Sequence, residues 1–117
     1  MPLCLPVKQS DLRDTVEEIA RRKKVALNVD VEANSLAFQK GVVLEGLCYS
    51  LMSPYSFTRD VREGRMQATK IVQPRIRRTM TLVMSTHGPL SRACREVIRL
   101  IEEIFAGRTD DWLPEIE

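Results

Sequence analysis

The sequence predicts an α/β fold, in which a small and mainly parallel sheet is flanked by helices. The first supporting observation is a strand-helix-strand pattern at residues 27–55, whose short connections suit a βαβ crossover between parallel strands. The second is another strand-helix pair at residues 3–24, which precedes this central unit. Together they predict a sheet with helices packed on it.

The amino-terminal pair begins with residues 3–7, an apolar strand with Pro6 near its end, where a hydrogen-bond donor is least needed. Ser10 is the predicted N-cap of a helix that starts at Asp11. The basic run at residues 21–24 suits the negative end of the helix dipole, so we interpret it as a solvated helix end. A nucleic-acid or localisation patch is the alternative. One helix face is apolar and is expected to pack on the sheet: Leu12, Val16, Ile19 and Ala20.

The central unit starts with a β-branched strand at residues 27–31, followed by a polar turn in which Ser35 is a predicted N-cap. Gly41 is unfavourable inside the next helix, and Gly46 is its predicted C-cap. Residues 47–52 are a second apolar run, too short for a helix, which predicts another strand. The expected apolar residues of the helix are Leu36, Phe38, Val42 and Val43.

The carboxyl-terminal part is predicted to hold a short helix at residues 55–63, strands at residues 66–72 and 79–84, and then the longest helix. Ser91 is the predicted N-cap of that helix, and Gly107 is predicted to end it. Its apolar stripe has helical spacing and is formed by Cys94, Val97, Ile98, Ile101, Ile104 and Phe105.

Length and composition are those of one ordinary globular domain, with 117 residues of which 44% are hydrophobic and 29% charged. The net charge of +2, from 18 basic and 16 acidic residues, is far from that of a dedicated nucleic-acid binder. We therefore expect no direct nucleic-acid contact by this chain. The start of the sequence lacks a signal-peptide pattern and no apolar run is long enough to span a membrane, so we expect a cytoplasmic protein.

Three cysteines at wide spacing fit neither a zinc site nor a disulfide framework. Cys4 and Cys48 lie in predicted strands, and Cys94 lies on the apolar side of a predicted helix. All three are therefore predicted to be small buried hydrophobic residues in a reduced setting. We expect no metal and no other cofactor.

No constellation of catalytic residues is recognisable in the sequence. His87, the only histidine, falls in a Gly-Pro turn with no carboxylate or nucleophile predicted beside it. Most of a helix separates Glu32 from Glu45, and no zinc-protease, nucleophile-elbow or phosphate-loop motif occurs. We predict that the chain is not an enzyme. A small α/β enzyme is the alternative, for which the sequence offers no site.

Ligand binding is better supported than catalysis. In an open parallel sheet, ligands lie beyond the carboxyl ends of the strands, where residues 7–10, 32–35 and 53–56 are expected. The first two loops lead into helix N-termini, whose unpaired N–H groups favour an anion. Side chains that can add donors are Lys8, Ser10, Asn34, Ser35 and Ser53. A purely structural role of the two capping serines is the alternative, and the local sequence by itself favours it slightly.

Four segments, taken in order, are also similar to one known family. Residues 42–54, VVLEGLCYSLMSP, match a helix that ends near glycine and leads into a strand at a ligand cleft. Residues 3–6 with Leu12-Arg13 match a strand-proline-helix segment, and residues 63–65 and 89–93 match a closing segment. This closing segment also includes Pro74 and Arg78. The order and spacing of these pieces resemble the effector-binding domain of LysR-type transcriptional regulators.

Two positions depart from the family pattern. Cys48 stands where the family usually has glycine, and Ser53 stands where it usually has the cleft proline, with Pro54 one position later. Both departures lie beside the cleft that the resemblance implies, so the cleft is expected to differ from the family pattern at these residues.

The resemblance implies a fold like one lobe of a type II periplasmic-binding-protein domain. Residues 1–85 are then expected to be the second lobe of the effector-binding domain, and residues 86–117 the returning helix and tail. The DNA-binding domain and the first lobe are expected to be absent. The implied function is sensing: a small metabolite, with an anion as one candidate, binds between the lobes, and the change is relayed to a winged helix-turn-helix. With half a cleft, we expect weak binding.

The resemblance also implies which residues contact the effector. They are Val7, Lys8, Ser10, Ala33, Asn34, Ser35, Met52, Ser53 and Pro54. Glu32, in the second loop, is expected to repel an anion, which leaves the charge of the effector open. Without the first lobe, the apolar stripe of the last helix predicts a homodimer or an exchanged helix.

A freestanding interaction module is the alternative function. The basic turn Arg75-Ile76-Arg77-Arg78 would then bind an acidic partner or nucleic acid, and such binding would be sensitive to salt. An exposed turn without any partner explains the same residues more simply.

Overall fold

The structure, a computed structural model, describes residues 1–76 and 81–106. The chain divides into two compact units, of which the first has residues 1–70 described and the second residues 71–76 and 81–106. The first unit contains, in order, β1 (Leu3–Leu5), α1 (Asp11–Lys23), β2 (Val29–Glu32), α2 (Leu36–Leu44), β3 (Tyr49–Ser50), a 3-10 turn (Pro54–Ser56) and α3 (Thr58–Arg62). The second contains α4 (Arg92–Ala106).

The strands form one parallel sheet in the order β2-β1-β3. Leu3 of the central strand is in register with Val29 on one side and with Tyr49 on the other. The chain passes from β1 to β2 through α1, and from β2 to β3 through α2. The predicted α/β fold with a small parallel sheet flanked by helices is therefore confirmed, although each strand is shorter than predicted.

Helix α1 begins where the sequence predicts. The Ser10 hydroxyl accepts a hydrogen bond from the Arg13 N–H at 3.2 Å, which satisfies one of the free donors of the first turn. Val16 and Ala20 are buried, so the predicted apolar face packs inward. The basic residues 21–24 are exposed at the far end, and Lys24 closes the helix in the left-handed region with a φ of 54°.

Helix α2 is rotated relative to the face predicted for it. Leu36 and Phe38, which the apolar pattern assigns to the core, are exposed, whereas Gln39 is buried. Val42 and Val43 lie three and four residues further on and are half-buried, so these residues define the inward face together with Gln39. The predicted core face was wrong for the first turn of α2, because hydrogen bonds hold the Gln39 side chain in the interior there.

The core of the first unit is centred on β1. Its buried apolar residues are Leu3, Cys4, Leu5, Val16, Ala20 and Cys48. Burial and the neighbouring Cys48 thiol raise the pKa of Cys4, so this thiol stays neutral, as an inert core residue does. The prediction of a buried cysteine was wrong for Cys94, which is exposed because no residue of α4 is buried.

Two predicted strands are missing from the described residues of the carboxyl-terminal part. Within residues 66–72 only Val72 pairs, through an isolated bridge to Arg75, and residues 81–84 belong to no strand. Residues 79 and 80 lie outside the described residues. These strand predictions were wrong because β-branched residues favour extended backbone, but a strand also needs a neighbour that takes its hydrogen bonds.

Helix α4 begins as predicted, since the Ser91 hydroxyl accepts a hydrogen bond from the Cys94 N–H at 3.1 Å. Its predicted end, Gly107, lies outside the described residues. Among the residues that the structure describes, no helix is long and apolar enough to cross a membrane.

Candidate functional site

The loops that follow the strands lie at the carboxyl edge of the sheet, because all three strands run in the same direction. Two of these loops are joined directly by hydrogen bonds. The Val7 N–H donates to Asn34 Oδ1 at 3.2 Å, and the Ala33 N–H donates to the Leu5 carbonyl at 3.0 Å. The predicted site residues after β1 and β2 are therefore neighbours in the fold.

Each of these two loops ends in a capped helix N-terminus. The hydroxyl oxygens of Ser10 and Ser35 accept hydrogen bonds from the N–H groups of Arg13 and Phe38, at 3.2 and 3.3 Å. Both serines therefore act as caps, as predicted. The hydroxyl hydrogens are not used in the capping bonds, so each serine retains one donor.

The two helix N-termini differ in charge. The first turn of α1 contains Asp11 and Asp14, whereas the first turn of α2 contains no acidic residue. A nearby carboxylate occupies the positive end of the dipole and repels a second anion. The start of α2 is therefore the more favourable of the two positions for an anionic group.

The side chain of Asn34 is oriented by its contact with the first loop. Its Oδ1 accepts the hydrogen bond from Val7, and the opposite assignment of the amide would place two donors against each other. Its NH2 group makes no hydrogen bond in the part of the chain that the structure describes and lies on an exposed residue. Asn34 thus offers two donors beside the start of α2.

The third predicted group, Met52, Ser53 and Pro54, is half-buried and follows β3. Ser53 precedes the 3-10 turn but makes no side-chain capping bond, unlike Ser10 and Ser35. The Pro54 carbonyl accepts a hydrogen bond from the Thr58 hydroxyl at 2.7 Å, which fixes the start of the next helix. The Ser53 hydroxyl is therefore not used in holding the local backbone.

Gln39 connects the second loop to the strand that leads into the third. This side chain is 5% exposed; its Nε2 donates to the Ala33 carbonyl at 2.5 Å, and its Oε1 accepts from the Ser50 hydroxyl at 3.4 Å. Gln39 was not among the residues predicted from the sequence. Its spacing of three and four residues before Val42 and Val43 was the available signal.

Arg13 is a second buried polar residue that was not predicted from the sequence. It is 4% exposed; its Nη1 donates to the Pro6 carbonyl at 3.1 Å and lies 3.0 Å from Glu32 Oε1, while its Nε donates to Glu17 at 2.6 Å. The signal was again spacing, since Arg13 precedes buried Val16 by three residues. Arg13 thus joins α1, the first loop and the end of β2.

The electrostatics of this arrangement keep Arg13 charged. Burial alone would lower the pKa of Arg13, but the hydrogen bonds and negative charges of Glu17 and Glu32 outweigh burial and raise it. Glu32 was expected to stand in the second loop as an unopposed negative charge. Instead it ends β2, and its carboxylate is paired with Arg13, which weakens the repulsion of an anion.

Asp60 of α3 is a buried carboxylate between two cations. Its Oδ2 lies 2.5 Å from Lys40 Nζ of α2, in a geometry outside that of an ordinary hydrogen bond, and its Oδ1 lies 2.8 Å from Arg65 Nη2. The contact with Lys40, and then the charges of Lys40 and Arg65, lower the pKa of Asp60 although burial opposes this. The cluster ties α3 to α2.

Metal-binding clusters were sought among residues 1–76 and 81–106. No group of three or more His, Cys, Asp or Glu side chains in these ranges is placed to hold a metal ion. His87 is exposed, and its backbone N–H donates to the Ser85 hydroxyl at 3.2 Å within the turn.

Only part of the predicted basic turn can be described. Arg75 is exposed and Ile76 is half-buried, whereas Arg77 and Arg78 lie outside the described residues. Binding of an acidic partner or nucleic acid by this turn stays a prediction.

Comparison with known protein families gives one match over most of the chain. The profile described as "LysR substrate binding domain" matches residues 1–106. A comparison with curated proteins and another with solved structures gave no match. The matched residues include all of the loops at the carboxyl edge of the sheet.

Proposed function

We propose, from the premise that this chain belongs to the LysR substrate-binding domain family, that its three loops form one half of an effector cleft. Domains of this family have a periplasmic-binding-protein-like fold and are ligand-sensing regulatory domains of transcriptional regulators. In our proposal, residues 1–85 are the second lobe and residues 86–117 are the returning helix and tail. A first lobe and a winged helix-turn-helix outside these 117 residues complete the regulator.

The observation that carries the proposal is the hydrogen bond from the Val7 N–H to Asn34 Oδ1. It holds two loops of a parallel sheet together at the edge where such sheets bind ligands. The third loop follows the adjacent strand β3, which Gln39 connects to the second loop. The proposed contact residues are those predicted from the sequence: Val7, Lys8, Ser10, Ala33, Asn34, Ser35, Met52, Ser53 and Pro54.

The effector is proposed to present an anionic group to the start of α2. Three observations support this position: the first turn of α2 has no acidic residue, Asn34 offers its NH2 group beside it, and the Glu32 carboxylate is paired with Arg13. A helix N-terminus favours an anion through its unpaired N–H groups and its dipole. Lys8, which is exposed in the first loop, adds a positive charge.

Sensing by this lobe requires binding but no reaction. An effector that contacts both lobes favours the closed arrangement over the open one by its difference in affinity for the two. The closed arrangement then changes the position of the DNA-binding domains, so DNA contact is made outside this chain. Because one lobe supplies only part of the contacts, the isolated chain is expected to bind with a dissociation constant of about 1 mM or weaker.

An NMR titration of the isotopically labelled chain tests the proposal. We expect small carboxylates such as succinate and benzoate to shift the backbone amide signals of residues 7–10, 33–37 and 52–53, and the corresponding uncharged amides to shift them less. If a panel of carboxylates leaves these signals unchanged, or shifts only signals elsewhere, the proposed site is wrong.

Two asparagines provide a matched pair of variants for the titration. Asn34→Ala removes the side chain that joins the loops and offers donors, and should abolish most of the carboxylate-induced shifts. Asn28→Ala removes an equally exposed type of side chain before β2, at the opposite edge of the sheet, and should leave them intact. Equal loss in both variants would indicate a general structural effect instead of a local one.

A further inference from the structure

Two neighbouring side chains of α2 hold the third loop, residues 51–57, at both of its ends. Before the loop, the Ser50 hydroxyl donates to Gln39 Oε1 at 3.4 Å. After the loop, Asp60 Oδ2 of α3 lies 2.5 Å from Lys40 Nζ. Gln39 and Lys40 are consecutive residues, so a single position along α2 fixes both the entry and the exit of the loop.

The sheet fixes only the beginning of this loop. Strand β3 has two residues, and its pairing with β1 ends at Ser50. Further along, the Thr58 hydroxyl donates to the Pro54 carbonyl at 2.7 Å, which joins the 3-10 turn to α3. This bond lies within the loop and α3, so it does not attach them to α2. The contact between Lys40 and Asp60 makes that attachment.

Burial makes the attachment between Lys40 and Asp60 unlike an ordinary surface ion pair. Asp60 is 3% exposed, and the Lys40 side chain is 27% exposed. A carboxylate that has lost its water depends strongly on the cation beside it, so such a pair keeps its geometry. Arg59 and Glu63, which pair on the outer side of α3, have side chains 86% and 42% exposed, and solvent screens a pair of this kind.

Helix α2 also holds the second loop. The Ser35 hydroxyl caps α2, and Gln39 Nε2 donates to the Ala33 carbonyl at 2.5 Å. The second loop is therefore attached to the same part of α2 as the two ends of the third loop. The spacing between the second and third loops is set through Gln39 on one side and through Lys40 on the other.

We infer that Lys40 and Asp60 are positioning residues of the proposed cleft, whose contact holds the third loop at the spacing from the second loop at which both contact a carboxylate ligand. The inference rests on the proposed function. Neither residue needs to contact the ligand. A site that already has its binding geometry loses less conformational freedom when the ligand binds, so the contact contributes to affinity.

Arg65 provides a matched control for Lys40. Its Nη2 lies 2.8 Å from Asp60 Oδ1, and its backbone N–H donates to the Asp60 carbonyl at 2.9 Å. These contacts join α3 to the residues that follow it and do not reach α2. Loss of the Lys40 or the Arg65 side chain removes one positive charge and one cation beside Asp60, but only loss of Lys40 detaches α3 from α2.

An NMR titration of the 117-residue chain with benzoate and with succinate, at constant ionic strength, tests the inference, and circular dichroism checks that each variant is folded. Lys40→Met should raise the dissociation constant at least about fivefold, whereas Lys40→Arg, which keeps the cation, should change it less than about twofold. Arg65→Met should also change it less than about twofold, because the third loop stays attached. Equal weakening by Lys40→Met and Arg65→Met would reflect the lost charge alone and would overturn the inference.

The position of the ligand-induced shifts gives a readout that general destabilisation does not produce. In Lys40→Met the second loop keeps its own bonds, so the amide signals of residues 33–37 should still shift at saturating ligand. The shifts at residues 52–53 should fall to less than about half of those in the unchanged chain, because the third loop no longer adjoins the ligand. A uniform decrease at both loops contradicts a positioning role.

A double variant covers the case in which Lys40→Met does not fold. Lys40→Met combined with Asp60→Ala removes the attachment without leaving a buried carboxylate beside a missing cation. It should raise the dissociation constant by a similar factor, at least about fivefold. An unchanged dissociation constant in the double variant would show that the contact does not position the loop.

The unchanged chain separates failure of this inference from failure of the proposed function. If it binds neither carboxylate, the proposed site is wrong and the inference falls with it. If it binds and Lys40→Met binds equally well, the proposed site stands and the inference alone is overturned.

Discussion

The Arg13 guanidinium and the Glu32 carboxylate form an ion pair at the carboxyl edge of the sheet, with Nη1 3.0 Å from Oε1. Arg13 belongs to the first turns of α1 and Glu32 ends β2, so the pair fixes the helix against the neighbouring strand. The same guanidinium donates to the Pro6 carbonyl in the first loop. One buried cation therefore organises both the local fold and the charge of the proposed site.

Arg13→Ala should lower the free energy of unfolding by about 2 kcal/mol, because it leaves two carboxylates and the Pro6 carbonyl without their donor. Urea unfolding followed by circular dichroism measures this. The expected loss is below that of a fully buried ion pair because Glu17 and Glu32 are both partly exposed.

Arg22 is the matched control for Arg13. It also pairs with a glutamate four residues away, Nε to Glu18 Oε1 at 2.7 Å, but its side chain is 76% exposed. Arg22→Ala should cost less than about 0.5 kcal/mol. Similar losses in the two variants would show that burial of Arg13 has no energetic importance.

Gln39→Leu should lower the free energy of unfolding by about 1–2 kcal/mol, since it keeps the volume of the side chain but leaves the part-buried Ala33 carbonyl without this donor. Amide hydrogen exchange should become faster at Ala33 and Ser35, where the second loop is released. Gln67→Leu, at an exposed position, is the control and should change neither quantity. Unchanged exchange in the second loop of Gln39→Leu would argue against its bridging role.

The acid side of the stability profile should depend on Asp60. Lys40 first, and then Arg65, lower the pKa of Asp60 in the folded chain. The ionised carboxylate is therefore more stable in the folded chain than in the unfolded chain. Its contribution is therefore complete above the unfolded pKa of 3.8 and is lost as pH falls through the lower folded value.

Comparison of the unchanged chain with Asp60→Asn isolates this contribution. The difference in free energy of unfolding should be constant near neutral pH and should shrink as pH falls below the unfolded value. Glu63 and Glu96 also have lowered pKa values and act in the same direction, but they are present in both chains and cancel. A difference that stays constant to low pH would show that Lys40 and Arg65 do not stabilise the ionised carboxylate.

Alanine variants of the serines before the helices distinguish a capping role from a binding role. Ser10→Ala and Ser35→Ala should each lower the free energy of unfolding by about 1 kcal/mol, because each loses a side-chain bond to a helix N–H. Ser53→Ala should cost less than about 0.5 kcal/mol, because Ser53 makes no capping bond. Thermal unfolding of the three variants checks this order, and a larger cost at Ser53 would reveal a structural role that the backbone does not indicate.

Much of the fold could be predicted because its signals are local. The Ser10 and Ser35 caps and the start of α1 follow from residue types that satisfy free N–H groups next to them in the chain. The parallel sheet follows from the length of the connections. The strand predictions for residues 66–72 and for the described part, 81–84, of residues 79–84 were wrong because a strand depends on a partner that local sequence does not specify.

The candidate site, like the fold, could be predicted from the sequence only in part. The sequence predicted that loops follow the three strands. It did not reveal the roles of Arg13 and Gln39, because both are polar residues on helix faces that the apolar pattern described incompletely. Their partners, such as Glu32 and Ser50, are distant along the chain. A search for polar residues at helical spacing from buried apolar ones would have identified both as candidates.

By itself, the sequence determined the α/β class, the alternation of strands and helices that gives a parallel sheet, the helix caps and the family. These features depend on periodicity and on neighbouring residues. Only the tertiary structure decided that Gln39 is buried in place of Phe38, and that Glu32 is neutralised by Arg13. The physical reason is that a buried polar group is stable only where distant parts of the chain supply its hydrogen bonds, and folding alone brings those parts together.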